Sequence, residues 1–281
     1  MNILIIGGTG LLGQQLVSYY QKRDNTVFAT YNSTDIKNNH YYFLNITNKG
    51  DVFSLIKKIQ PTVIVLAAAF TNVDECEREK EKAFDINVNG TANVASATDS
   101  IGAKLVYVST DYVFDGVKGN YKENDSTNPI DYYGYTKLEG EKKVQSICSN
   151  YIIARTSVIY GIHKPSFVAW IVSQLKEGKP TNIVTDQIIS PTFTFDLTEQ
   201  IDALIRNDAN GIFHTAGGER ISRFDFAKSI ASVFSLKKDL ISPISLNEMN
   251  WVAKRPKDSS INVSKITKFK KPYRLEESLQ R

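Results

Sequence analysis

Short apolar runs rich in β-branched residues recur along this chain with longer amphipathic stretches between them, and that alternation leaves few folds open. Residues 2–6, 26–30, 62–67, 104–109 and 151–156 read as strands, and residues 11–22, 50–59, 78–100 and 133–148 read as helices. Strands joined through helices are parallel, and a parallel sheet needs helices on both faces. Beyond about residue 160 the pattern loosens into helices near 166–177, 195–206 and 222–234 joined by long loops. The expectation is α/β: a doubly wound parallel sheet over residues 1–160 and a smaller, interleaved C-terminal substrate-binding region over 161–281. Some segments of the second region are expected to return to the sheet.

Composition narrows the class further. A chain of 281 residues with 42% hydrophobic content can bury a full core. The net charge of +4, from 34 basic and 30 acidic residues, is spread along the chain, which argues for solubility and against a nucleic-acid partner. Cys76 and Cys148 form neither a metal set nor a disulfide framework, and free thiols fit a reducing compartment. The first apolar run is too short for a secretion signal, and none approaches 18 residues. A cytoplasmic protein with no membrane partner is expected. His40, His163 and His214 are scattered without ligand spacing, so no metal is expected.

Gly7-Gly-Thr-Gly-Leu-Leu-Gly13 follows the first strand and opens the first helix. Gly7 supplies a tight turn, Gly10 lets backbone approach a pyrophosphate, and Gly13 lets helix and strand pack closely, as in a Rossmann-type dinucleotide-binding fold. Tyr31 and Asn32 end the second strand with no carboxylate to grip a ribose 2′-hydroxyl and no arginine for a 2′-phosphate, so NADPH and NADH both stay open. Asn45 and Ile46 close a short third strand where adenine would lie. Ala67, Ala68 and Ala69 end the fourth with side chains small enough for a cofactor to pass.

The fifth strand leads into Val108-Ser-Thr-Asp-Tyr-Val-Phe-Asp-Gly116, which places Thr110 and Asp111 at the sheet's carboxyl edge. Tyr133 and Lys137 then open the next helix at the same edge, one turn apart on one face. That spacing alone carries nothing: with 14 tyrosines and 34 basic residues, about 1.7 such pairs arise by chance, and four occur. Position promotes this one, since a hydroxyl, a phenol and an ammonium there can converge on one carbonyl.

These segments resemble the dTDP-4-dehydrorhamnose reductase family of the extended short-chain dehydrogenases/reductases. The resemblance runs through residues 7–13, 67–77, Asn87, 109–116, 133–141, 155–157, Asp186-Gln187, 190–192 and Arg255-Pro256. It implies reduction of the C4 keto group of dTDP-4-dehydro-L-rhamnose by hydride from NAD(P)H. Tyr133 would then donate the proton, Lys137 hold the nicotinamide ribose and lower the phenol's pKa, and Thr110 bond the carbonyl. It further implies Gly7, Gly10, Leu11, Leu12, Gly13, Tyr31, Asn32, Asn45, Ile46, Ala67, Ala68, Ala69, Thr71 and Val108 at the cofactor, and Thr110, Asp111, Tyr133, Val158, Gln187 and Arg255 at the substrate.

The chain departs from that pattern at Val158, where the family often has a tryptophan, at Ile189, where glycine is usual, and at Gln15, where some members carry a metal-binding glutamate. A homodimer stays open. The same motifs resemble the regulatory subunit of methionine adenosyltransferase, which would make the chain a non-catalytic NADP-binding module. Another nucleotide-sugar reductase or epimerase is the third reading. Trp170 either lines the sugar pocket or faces the core, and Arg255 meets either phosphates or a surface carboxylate.

Overall fold

The computed structural model describes residues 1–33 and 40–281. The chain runs β1 (Asn2–Ile6), α1 (Leu11–Gln21), β2 (Thr26–Tyr31), β3 (Tyr41–Phe43), α2 (Lys49–Ile59), β4 (Val63–Leu66), α3 (Val73–Arg78), α4 (Lys80–Phe84), a π-helical turn (Asp85–Gly90), α5 (Thr91–Ser100), β5 (Lys104–Thr110), α6 (Tyr132–Ile147) and β6 (Tyr151–Thr156). There follow β7 (Ile159–Tyr160), α7 (Phe167–Lys176), β8 (Thr181–Val184), β9 (Ile188–Ile189), β10 (Thr192–Phe193), α8 (Thr194–Arg206), β11 (Gly211–His214), β12 (Ile221–Ser222), α9 (Arg223–Val233), β13 (Ile241–Ile244) and α10 (Leu275–Gln280).

The described residues form a seven-stranded sheet in the order β11-β6-β5-β4-β1-β2-β3, with every pairing parallel. Strand order reverses between β1 and β4. The connections leaving these neighbours diverge, which opens a crevice beyond their carboxyl ends.

Strand alternation sets the two cores. Ile3 and Ile5 of β1 face Leu12 and Leu16 of α1 with Leu197, Ile201 and Leu204 of α8. Leu4 and Ile6 face Val52 and Ile56 of α2, Val94 of α5 and Val144 of α6. Both α8 and β11 come from beyond residue 160. The register of β11 on β6, Gly211 opposite Ile152 to His214 opposite Arg155, makes it the sheet's outer strand. A third core joins Ile171 and Leu175 of α7 to Phe226 and Ile230 of α9, over the short strand pairs of the C-terminal region.

The stretch expected as one helix over 78–100 is instead α3, α4, the π-helical turn and α5. Asn72 starts it early by accepting from Glu75 N at 3.1 Å. In the π-helical turn a Cβ on Gly90 would lie 2.7 Å from Ile46 Cγ1, so the helix packs directly on the segment that follows β3. Among the described residues no helix is long and apolar enough to cross a membrane.

Candidate active site

The glycine turn works by close contact. Gly7 has φ +91°, and a Cβ there would stand 2.7 Å from Ala68 N; one on Gly13 would fall 2.0 Å from Gly7 O. Gly10 N donates to Gly7 O at 3.0 Å, and Gly10 opens α1 with no side-chain cap and no acidic residue in the first turn. The positive end of α1 is thus left for an anion. It borders a cavity of about 820 Å³ lined by Gly7, Gly10, Leu11, Leu12 and Gly13. Backbone, dipole and glycine cradle fit a dinucleotide pyrophosphate.

The cavity follows the crevice. Asn32, Asn45 and Ile46 line one end, Ala67, Ala68, Ala69 and Thr71 the middle, and Val108, Thr110, Asp111, Tyr133, Lys137 and Val158 the other end. Three anticipated residues lie outside this lining. The Tyr31 ring stands edge-on to Phe43 at 5.9 Å. Gln187 is fully buried and donates through Nε2 to the Tyr112 hydroxyl at 3.2 Å. Arg255 Nη2 pairs with Asp74 Oδ1 at 3.0 Å, its guanidinium 5.0 Å over the Trp251 ring.

The cavity also takes residues that sequence reasoning passed over, among them Thr9, Ser33, Phe70, Lys82, Ile86, Ser109 and Tyr112. Tyr112 was legible as the neighbour of Asp111, and Phe70 as part of the run after β4. Lys82 and Ile86 stand four apart on either side of the start of the π-helical turn, a spacing that by itself carries no cofactor signal. Trp170 is 44% exposed and belongs to neither the cavity lining nor the buried core.

Asp131 places Tyr133 by capping α6, its Oδ1 accepting from Gly134 N at 2.8 Å. Burial holds the Tyr133 phenol well above its ordinary range, with a hydrogen bond to Thr110 acting in the opposite direction. The phenol is therefore protonated at neutral pH. Lys137 Nζ donates to Val108 O at 2.8 Å and lies 4.0 Å over the Tyr107 ring. Burial brings this lysine down to about 7, against the pull of Glu141.

Hydroxyls and one ion pair fix the floor. Thr110 Oγ1 donates to Asp111 Oδ1 at 3.1 Å, and Asp111 Oδ2 accepts from Ser157 at 2.7 Å and Ser259 at 2.5 Å. Burial raises the Asp111 carboxyl while these hydroxyls lower it. Glu141 accepts from Ser109 Oγ at 2.5 Å and from Arg155 Nε and Nη2 at 2.9 and 2.7 Å. That bidentate pair, both partners buried, locks α6 to β6, and the Ser109 bond ties the same carboxylate to β5. Asn87, in the π-helical turn, accepts from Phe70 N at 2.8 Å and donates to Thr136 Oγ1 at 3.0 Å, tying the loop after β4 to α6. Among the described residues no group of three His, Cys, Asp or Glu side chains could hold a metal ion.

The family model described as RmlD substrate binding domain matches residues 1–281. The dTDP-4-dehydrorhamnose reductase of Escherichia coli K12 is 33% identical over 281 aligned residues, covering 95% of this chain and 91% of that protein. Methionine adenosyltransferase 2 subunit beta of Danio rerio is 30% identical, covering 94% and 83%. A crystal structure of dTDP-4-dehydrorhamnose reductase from Bacillus anthracis in complex with NADP superposes with a TM-score of 0.92 at 36% identity, over 99% of this chain and 97% of that one. With the whole chain matched and the parallel sheet shared, this protein belongs to the RmlD family, that of the dTDP-4-dehydrorhamnose reductases.

Proposed function

We propose that this NAD(P)H-dependent oxidoreductase reduces the C4 keto group of dTDP-4-dehydro-L-rhamnose to dTDP-L-rhamnose, with Tyr133 as proton donor. One observation carries the reading: Thr110, Tyr133 and Lys137 line one end of a cavity whose other walls include the open N-terminus of α1. A dinucleotide held by Gly7, Gly10 and Leu11, with Asn45, Ile46, Ala69 and Thr71 along its length, supplies hydride for the carbonyl carbon when bound.

The residues supply the proton and its placement. A buried phenol held protonated is suited to give its proton to an oxygen that gains negative charge. Thr110, whose hydroxyl also accepts from Tyr112 N at 3.2 Å, is held where it can bond the same oxygen. Lys137, beside the phenol on α6, is the ammonium that would steady the cofactor ribose. Asp111 and Val158 border the space left for the sugar.

NADPH or NADH oxidation followed with dTDP-4-dehydro-L-rhamnose tests this directly. Wild type should turn over, and Tyr133→Phe should fall by about 10² to 10⁴ in kcat, the usual contribution of a positioned general acid. Tight NADP(H) binding without turnover would overturn the reductase reading and leave a regulatory module like the Danio rerio relative.

A further inference from the structure

Tyr112 carries the cavity wall outward toward a cation that the family reading leaves unused. Its ring stands edge-on to that of Tyr133 at 6.0 Å, and its hydroxyl accepts from Gln187 Nε2 at 3.2 Å. Gln187 Oε1 in turn accepts from Arg223 Nε at 2.5 Å, and Gln187 O accepts from Arg223 N at 3.0 Å. The guanidinium lies 5.3 Å over the Phe167 ring, and the exposed indole of Trp170 stands beside that ring at 5.9 Å.

What separates Arg223 from the arginines around it is the lack of a counter-charge. Arg155, Arg220 and Arg255 each pair with a carboxylate, from Glu141, Asp258 and Asp74. Among the described residues no carboxylate comes within ion-pair distance of Arg223, which is half-buried and whose side chain bonds Gln187 through Nε. Among the described residues its Nη groups have no acceptor, so a planar fork of N–H donors is held ready near the cavity wall. Of the arginines acting on the Tyr112 phenol, Arg223 exerts the larger effect.

We propose that Arg223 holds the diphosphate of the nucleotide-linked sugar, with the exposed Trp170 ring taking the base; this rests on the reading of the cavity given above. A sugar presented to Tyr133 then passes its diphosphate outward beyond Tyr112. A guanidinium fork matches phosphate oxygens two at a time, and exposed aromatic faces accept a base by stacking. Arg255, neutralised by Asp74 and stacked on Trp251, is already engaged.

Calorimetric titration of wild type, Arg223→Ala and Trp170→Ala, each saturated with NADP⁺, with dTDP and with inorganic pyrophosphate tests the assignment. Arg223→Ala should weaken both ligands by about tenfold to a hundredfold, the effect of losing a charge-assisted hydrogen bond. Trp170→Ala should weaken dTDP and leave pyrophosphate unchanged. In turnover, Arg223→Ala should raise KM for the nucleotide sugar and spare kcat. Equal dTDP affinity in wild type and Arg223→Ala overturns the proposal, as does a fall in kcat at constant KM, which would make Arg223 a support for Gln187. Should the alanine variant fail to fold, Arg223→Lys is read the same way, since it keeps the charge and loses the fork. Arg223-dependent dTDP binding without sugar reduction would sustain this site and overturn the reductase reading alone.

Discussion

Lys137 reaches back from α6 to the carbonyl oxygen of Val108, 2.8 Å from its Nζ, and is buried over the Tyr107 ring. The ammonium so placed is an acid of about 7 in the folded protein against 10.5 for a free side chain. Between those values unfolding takes up a proton, so this group favours the fold increasingly as pH rises from about 7 to 10.5, with a slope of up to about 1.4 kcal/mol per pH unit. Lys137→Met is expected to raise the urea midpoint at pH 7 and to lose that advantage toward pH 10. An equal gain at both pH values would refute the buried-ammonium account.

Asp131 shifts the other way. Burial lifts its carboxyl from 3.8 to about 7, and among the described residues Oδ2 has no hydrogen-bond partner. The folded protein binds this proton more tightly than the unfolded chain, so the group's contribution is fully present below pH 4 and is lost as pH rises to about 7. Asp131→Asn, which keeps the acceptor for Gly134 N, should stabilise the protein at pH 8 by on the order of 1–3 kcal/mol and hardly at all at pH 4. Thermal melts at the two pH values decide it; a loss of stability at pH 8 would count against it.

The Arg155 and Glu141 pair predicts an asymmetry. Glu141→Leu leaves a buried guanidinium unpaired and should cost about 3–5 kcal/mol in chemical denaturation, while Glu141→Leu with Arg155→Met should recover most of that loss. Strictly additive losses would show that the two residues do not act as a unit.

Gly13→Ala places a Cβ 2.0 Å from Gly7 O and 2.8 Å from Gly8 Cα, both backbone atoms. Overpacking of this kind should cost about 1–3 kcal/mol, and lifting α1 off the turn should weaken NADP⁺ by about tenfold or more in a fluorescence titration. Unchanged affinity would mean that α1 does not hold the pyrophosphate.

Much of the sheet and one end of the site were legible because they follow local rules. Alternating strand and helix stretches dictate parallel pairing, and right-handed crossovers send the carboxyl end of each strand to one edge. Gly7, Thr110, Tyr133 and Lys137 therefore had to meet there, whatever the loops did, and the cavity lining contains all of them. The break in the expected 78–100 helix was not legible, since it follows from Gly90 packing on Ile46, a contact 44 residues away in sequence.

The sequence by itself determined which elements form and which side chains reach the sheet's carboxyl edge, because both depend on periodicities and turns a few residues long. Tertiary structure alone decided which charges stay available there. Arg255 and Arg223 look alike as letters, yet Asp74 lies against the first and no carboxylate among the described residues against the second. Tyr31 is likewise turned to Phe43 by the packing of neighbouring strands. Ion pairs and ring contacts between distant segments depend on three-dimensional packing that no local spacing encodes.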